Sequence, residues 1–479
     1  MSRYVYMEPR APEYRKPTCI DDCLPQARAL VRKEHGRGAL GPVKSGDRIL
    51  VVTYADQDEY VREAVIQAFK ELGAERVDFI YTHELTGVEQ KPATVEEAWR
   101  EAVMMGEGRV SGSYTVADRT SGVDMAAAIR KYFDEHPGYT GLFWDTGGRS
   151  HRIFALREHG SKFRNNWLFN NWEEFLSRAW TFPDELWQEM EKKILEILGK
   201  ASSVRITDPE GTHLEYDLTP EEAKRWAMTA GLAGHLFLDP MQATSSECAV
   251  VPVSEKVPMV FPKYNGVLAG TANHFGFFPR MELHFENGRL VEVRGGGRYG
   301  EEIAALEERY SHVHWPGYPE RGYFWFCDCA LCTTIKAFRR TSDFFHSYWR
   351  IPNAPERNRA GIFHMGIGSR RHTEAHRTYA RENKVPMGHI HVHNYFVTFE
   401  IKIAGSKSWY KIVDKGWITA LDDVDLRAKA TKYGDPDDLL SYDWVPPLPG
   451  INCDGDYWKD YASDPIAYLK KRLEKGMKI

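Results

Sequence analysis

The sequence predicts an α/β protein in which an N-terminal domain with a parallel sheet and flanking helices precedes a β-rich α+β domain. Three observations point that way. A strand–helix–strand pattern lies near the start, an amphipathic helix ends just before residue 200, and from 201 onward the pattern changes to alternating strands closed by turns.

The first pattern is GDRILVVTYADQDEYVREAVIQAFKELGAERVDFIYTHEL at 46–85. An apolar run at 49–53 reads as a strand, Val61, Ala64, Val65 and Phe69 recur at helical spacing, Gly73 is a stop, and Val77 to Tyr81 read as a second strand. This is a βαβ unit. HPGYTGLFWDTGG adds another strand, and PDELWQEMEKKILEILGKASSV is a helix with Leu186, Met190, Ile194 and Ile197 on one face. Beyond it, SSVRITDPEGTHLEYDL and RMELHFENGRLVEVRGGG alternate as strands do, with Asn287-Gly288 as a hairpin signal. The tail, with DPDDLL, VPPLPG and the closing helix DPIAYLKKRLEKG, reads as an ordered extension. The expected division is 1–200 for the α/β domain, 201–404 for a metal-binding catalytic domain and 405–479 for an extension packed on it.

Composition narrows the function. A chain of 479 residues with 42% hydrophobic and 27% charged residues is long enough for two domains. A net charge of -5 with basic residues dispersed among acids argues against nucleic acid and for small-molecule partners. MSRYVYMEPRAPEYRK lacks the apolar run of a signal peptide, and no stretch has the roughly 18 apolar residues of a membrane span, so a cytoplasmic protein is expected. Seven cysteines, an odd number, suggest reduced thiols. Aromatic residues are plentiful, at 14 Trp, 24 Tyr and 23 Phe, and suit either a core or the walls around a flat ligand.

Chemistry concentrates in the histidines. Alternate side chains of a strand share a face, so His389, His391 and His393 of GHIHVHNYF stand about 7 Å apart along one face. With His364 in the glycine-rich GIFHMGIG, they form a candidate metal site; the plain alternative is a half-exposed strand whose polar face happens to be histidine. HTEAH places His372 and His376 at i, i+4, but the zinc-protease motif needs Glu directly after the first His, so a solvated helix beside the site is expected. CDCALC, with Cys327, Cys329 and Cys332, lacks a partner pair at zinc spacing and reads as a buried strand.

Taken together, these stretches resemble the aminopeptidase T metallopeptidase superfamily, which includes the iron-dependent 2,5-dihydroxypyridine dioxygenases. The resemblance runs from about residue 46 to 404, through the βαβ unit and VRITDPEGTHLEYDL, and implies the fold. Its metal segments are ATSSECAVVP, FCDCALC, GIFHMGIG and HVH, which by resemblance imply Glu247, Asp328, His364, His391 and His393 as ligands. GIFHMGIG is closer to the dioxygenase form. His393 stands where the family has aspartate, the peptidase Asp-Glu-Asn segment has no counterpart, and Arg371 stands about where a catalytic tyrosine would be. These departures imply one metal ion rather than two.

The favoured expectation is a ring-cleaving dioxygenase using Fe(II) and O2 on a small hydroxylated aromatic or heteroaromatic substrate. Glu247, Arg371, His372 and Tyr395 are its candidate catalytic residues, and Arg339, Arg340, Arg370 and Arg371 are candidates for a substrate carboxylate, although a surface position is the plainer expectation for most of these arginines. The alternative is a Zn or Mn hydrolase or aminopeptidase with Glu247 or Asp328 as general base. A non-enzymatic solute-binding or structural protein would hold no transition metal. The resemblance also implies a homodimer or larger homo-oligomer.

Overall fold

A computed structural model of the chain describes residues 6–34, 40–53, 57–88, 125–144, 162–165, 172–227, 234–238, 264–273, 276–341, 355–368, 374–386 and 389–479. The α/β expectation holds. A small parallel sheet with the order β2-β1-β3-β4 comprises β1 (Arg48–Thr53), β2 (Arg76–Tyr81), β3 (Gly141–Trp144) and β4 (Lys162–Asn165). Helix Glu59–Glu71 connects β1 to β2; the Asp58 side chain caps it by accepting from the backbone N–H groups of Tyr60 and Val61.

Period-2 alternation divides β1 between two layers. Ile49 and Val51 face helices Leu24–Arg32 and Glu59–Glu71, whereas Leu50 and Val52 face Ile129 and Phe133 of helix Met125–Glu135. Burial on both faces explains why RILVVT reads as a continuous apolar run. Truncating Leu50, which is fully buried, to alanine would cost about 2–5 kcal/mol.

The remaining strands form one antiparallel sheet. They are β5 (Ala201–Thr207), β6 (His213–Asp217), β7 (His235–Phe237), β8 (Asn265–Ala272), β9 (Phe277–Glu286), β10 (Arg289–Gly295), β11 (Trp325–Cys332), β12 (Phe363–Gly368), β13 (His389–Asn394), β14 (Thr398–Ile403), β15 (Trp409–Asp414) and β16 (Trp417–Ile418). Their order is β13-β12-β11-β10-β9-β8-β6-β5-β14-β15-β16, with β7 paired to β11. Asn287 and Gly288 make the β9–β10 turn with φ of 50° and 82°.

One end of this order folds back onto its middle. Beyond the short β6, the backbone of Ala269 in β8 exchanges hydrogen bonds with the Thr212 hydroxyl, and the Asn394 amide of β13 donates to the Ala269 carbonyl at 2.6 Å. Gly270 makes the approach possible, because a Cβ there would lie 2.6 Å from Val392 Cγ1. Strand β13 is consequently buried on both sides, with Ile390, Val392 and Asn394 at most 2% exposed.

Helix Asp184–Leu198 packs into the same hydrophobic core as this sheet, together with Trp444, Leu448 and Leu469 from the tail. The tail is ordered: Asp464 caps helix Pro465–Glu474, and Val445 exchanges backbone hydrogen bonds with Arg10. Among the described residues, no helix is long and apolar enough to cross a membrane.

Candidate functional site

Antiparallel register assembles the site. His364 of β12 stands opposite His393 of β13, Gly366 opposite His391, and Gly368 opposite His389. Alternation sends Phe363, Met365 and Ile367 to the other face of β12, where each is fully buried, and keeps His364 with the glycines. Because Gly366 puts no side chain across from His391, that ring lies against His364 with centroids 4.1 Å apart at 64°. The His364 and His393 rings are 5.3 Å apart at 30°. All three side chains are at most 3% exposed, so the half-exposed strand is not what forms.

A fourth imidazole joins them from β7. Ala330 of β11 stands opposite both His364 and Phe237, and Cys332 stands opposite His235. Over the small Ala330, the rings of His235 and His364 approach to 5.3 Å at 75°. The chain around His235 is tightly set. Gly234 has φ of 79°, a Cβ on it would meet Thr334 Oγ1 at 2.7 Å, and its carbonyl accepts from the Thr333 N–H. On the other side Leu238 donates its N–H to Cys329. Sequence reasoning missed His235, because a three-residue strand is too short to display a period.

Behind His393 lies a buried ion pair. Its Nδ1 faces Glu356 Oε1 at 3.5 Å, and the same oxygen accepts from the Arg339 guanidinium, which also donates to the Asn273 carbonyl at 3.1 Å. Burial pushes the Glu356 carboxyl up, but Arg339 and then His393 outweigh it and hold the group below its ordinary pKa. A carboxylate at Nδ1 favours the proton there and leaves Nε2 as the lone-pair nitrogen of His393. Arg359 fixes the end of the strand, donating to the Tyr395 carbonyl at 3.1 Å beneath the rings of Tyr442 and Trp444.

Of the predicted ligands, the structure brings together His364, His391 and His393. The backbone of Asp328 stands opposite Gly366, level with His391; the side chains of Asp328 and His389 lie outside the described residues. Glu247, Arg370, Arg371 and His372 also lie outside them. Tyr395 packs its ring on Trp444, and burial and then the Glu356 charge push its phenol pKa up, so it stays protonated.

Other expectations change. Arg339 and Arg340 are buried and face Glu356 and Glu174, so their guanidinium charges are committed within the protein rather than offered to a substrate carboxylate. His376, expected on a solvated helix, is 2% exposed, because helix Glu374–Asn383 turns it between Trp315 and Tyr318. Cys327, Cys329 and Cys332 lie on the expected buried strand and form no disulfide.

No protein-family model matches the chain, and no curated protein matches it. Solved structures do. It is similar to 2,5-dihydroxypyridine dioxygenase from Pseudomonas putida KT2440, with a TM-score of 0.45 and 12% identity over 84% of this chain and 99% of that one. It is also similar to AmpT from Thermus thermophilus, with a TM-score of 0.39 and 12% identity over 82% and 98% of the two chains. Likeness at this level concerns the path of the chain, and no activity follows from it.

Whether these residues fit a metal is a matter of donors and spacing. An imidazole nitrogen bound at about 2.1 Å puts its ring centre roughly 3.2 Å from the ion, so two ligand rings 90–109° apart lie about 4.5–5.2 Å from each other. The observed separations of 4.1, 5.3 and 5.3 Å about His364 bracket that range. Among the described residues, no three His, Cys, Asp or Glu side chains already stand in a coordinating arrangement. The strands set the depth and spacing of the imidazoles, and sharing an ion would require the rings to turn from the positions they hold.

Proposed function

We propose that this protein is a metalloenzyme that binds one Fe(II) through His364, His391 and His393 and opens the ring of a small hydroxylated aromatic or heteroaromatic compound with O2. The observation that carries the reading is the approach of two β13 imidazoles to His364 on the neighbouring strand, all of them buried. Neutral imidazoles suit a divalent transition metal. When bound, the ion supplies Lewis acidity toward a substrate hydroxyl and the redox chemistry that lets O2 react.

The chain's own residues hold and orient. Glu356 beside Nδ1 would leave the Nε2 lone pair of His393 for the ion, and Arg339 keeps Glu356 charged. Gly366 and Ala330 put little bulk on the sheet beside the rings, which favours a flat ligand. Burial keeps bulk water from the site, protecting reactive species. Hydrolysis would need a free general base, and the carboxylate beside His393, Glu356, is already held by Arg339.

A second reading, a Zn or Mn hydrolase acting on an amide or peptide bond, draws support from Asp328. Its backbone stands opposite Gly366, which in turn is opposite His391. Metal content and oxygen dependence separate the two. Protein purified without added metal should contain iron and consume O2 with hydroxypyridines or dihydroxybenzoates, yielding ring-opened product. Zinc or manganese, with amide turnover undiminished in the absence of air, would support the hydrolase and contradict the dioxygenase.

A further inference from the structure

We propose that His235 is a fourth imidazole ligand, completing an all-nitrogen site with His364, His391 and His393; the inference rests on the metal-binding reading above. Its ring is as far from His364 as that of His393 is, 5.3 Å, at the outer edge of the spacing worked out above for rings that share an ion. It is 2% exposed, as deep in the protein as His391. Three features hold it there: the left-handed Gly234, the close approach of that glycine to Thr334, and the pairing of β7 with β11 over Ala330. The pairing is specific to this segment. Strand β10 meets β11 only at Arg289 and Trp325, and β7 takes over the same edge further along, at Ala330 to Cys332.

Four imidazoles would change what the site accepts. Neutral donors leave the full divalent charge in a buried place, so the favoured ligand is an anion with two oxygens, such as a deprotonated hydroxyl beside a second hydroxyl or a carboxylate. With four positions taken, a six-coordinate ion would have two left, and such a chelator would need them to be adjacent.

Cobalt(II), added to the apo full-length protein, tests the inference. In the Co(II)-loaded wild type, proton NMR should show four hyperfine-shifted, exchangeable imidazole N–H resonances; three would overturn it. His235→Cys should gain a near-ultraviolet thiolate-to-cobalt charge-transfer band absent from the wild type. His235→Ala should weaken Co(II) binding by at least the roughly 10- to 100-fold that loss of an outer-shell partner costs. If the wild type binds Co(II), with His235→Ala unchanged in affinity and His235→Cys lacking the new band, His235 is no ligand and the three-histidine reading stands. If the wild type binds no Co(II), both fall.

Discussion

His364 and His391 lie with their ring centres 4.1 Å apart, although they are not opposed in the ladder: the residue opposite His391 is Gly366. Two rings approach this closely because one position between the strands is empty of side chain. Gly366→Val would fill that position and push His391 off His364. The expected result is loss of bound metal with a cost in stability of about 1–3 kcal/mol, read by elemental analysis and thermal unfolding. Full metal content in the folded variant would show that the glycine does not frame the site.

Glu356 and Arg339 make a second prediction. Both side chains are at most 1% exposed, so Glu356→Gln leaves a buried guanidinium uncompensated and should cost about 3–5 kcal/mol. Pairing it with Arg339→Met should restore most of the stability. Metal affinity should stay roughly 10- to 100-fold low in the double variant, because the carboxylate that orients His393 is still missing. Recovery of both properties together would mean that the pair serves the fold alone.

The turn between β5 and β6 predicts a pH dependence. Burial, followed by the Asp208 charge, pushes the Glu210 carboxyl up, and burial raises Asp208 as well. A carboxyl whose pKa is higher folded than unfolded binds more protons when folded. Its contribution is complete below the unfolded pKa and is lost as pH rises through the folded one. Stability should therefore fall from mildly acidic toward alkaline pH. Glu210→Gln keeps an oxygen to accept from Thr271 and Tyr457 and removes the titration. Its urea-unfolding free energy should vary less with pH and exceed wild type at the alkaline end; parallel curves would contradict this.

Gly234→Ala probes the approach of β7. At φ of 79°, with a Cβ 2.7 Å from Thr334 Oγ1, alanine should cost at least about 1 kcal/mol in thermal unfolding. A neutral result would mean that this turn relaxes freely and does not hold His235 in place.

Local patterns carried much of this structure. The βαβ unit is legible because Val61, Ala64, Val65 and Phe69 answer to one helix face, and the β9–β10 hairpin because Asn287-Gly288 accepts left-handed backbone. His391 and His393 are legible because a strand repeats every two residues. What joins distant segments is not. Asn394 reaching Ala269, His235 leaning across Ala330, and Arg339 meeting Glu356 behind His393 depend on how the sheet folds back on itself, which no spacing in the chain records. His376 shows the same limit: a polar residue on a short helix looks solvated until Trp315 and Tyr318 are seen to enclose it.

The central claim is that three imidazoles from two strands share one ion. Its most direct test is Fe(II) loading under anaerobic conditions, followed by removal of unbound metal and measurement of iron per chain in the wild type and in His364→Ala, His391→Ala and His393→Ala. The account predicts one iron per wild-type chain and its loss in each variant whose circular dichroism is unchanged. Iron retained in the three folded variants, or absent from the wild type, would contradict it.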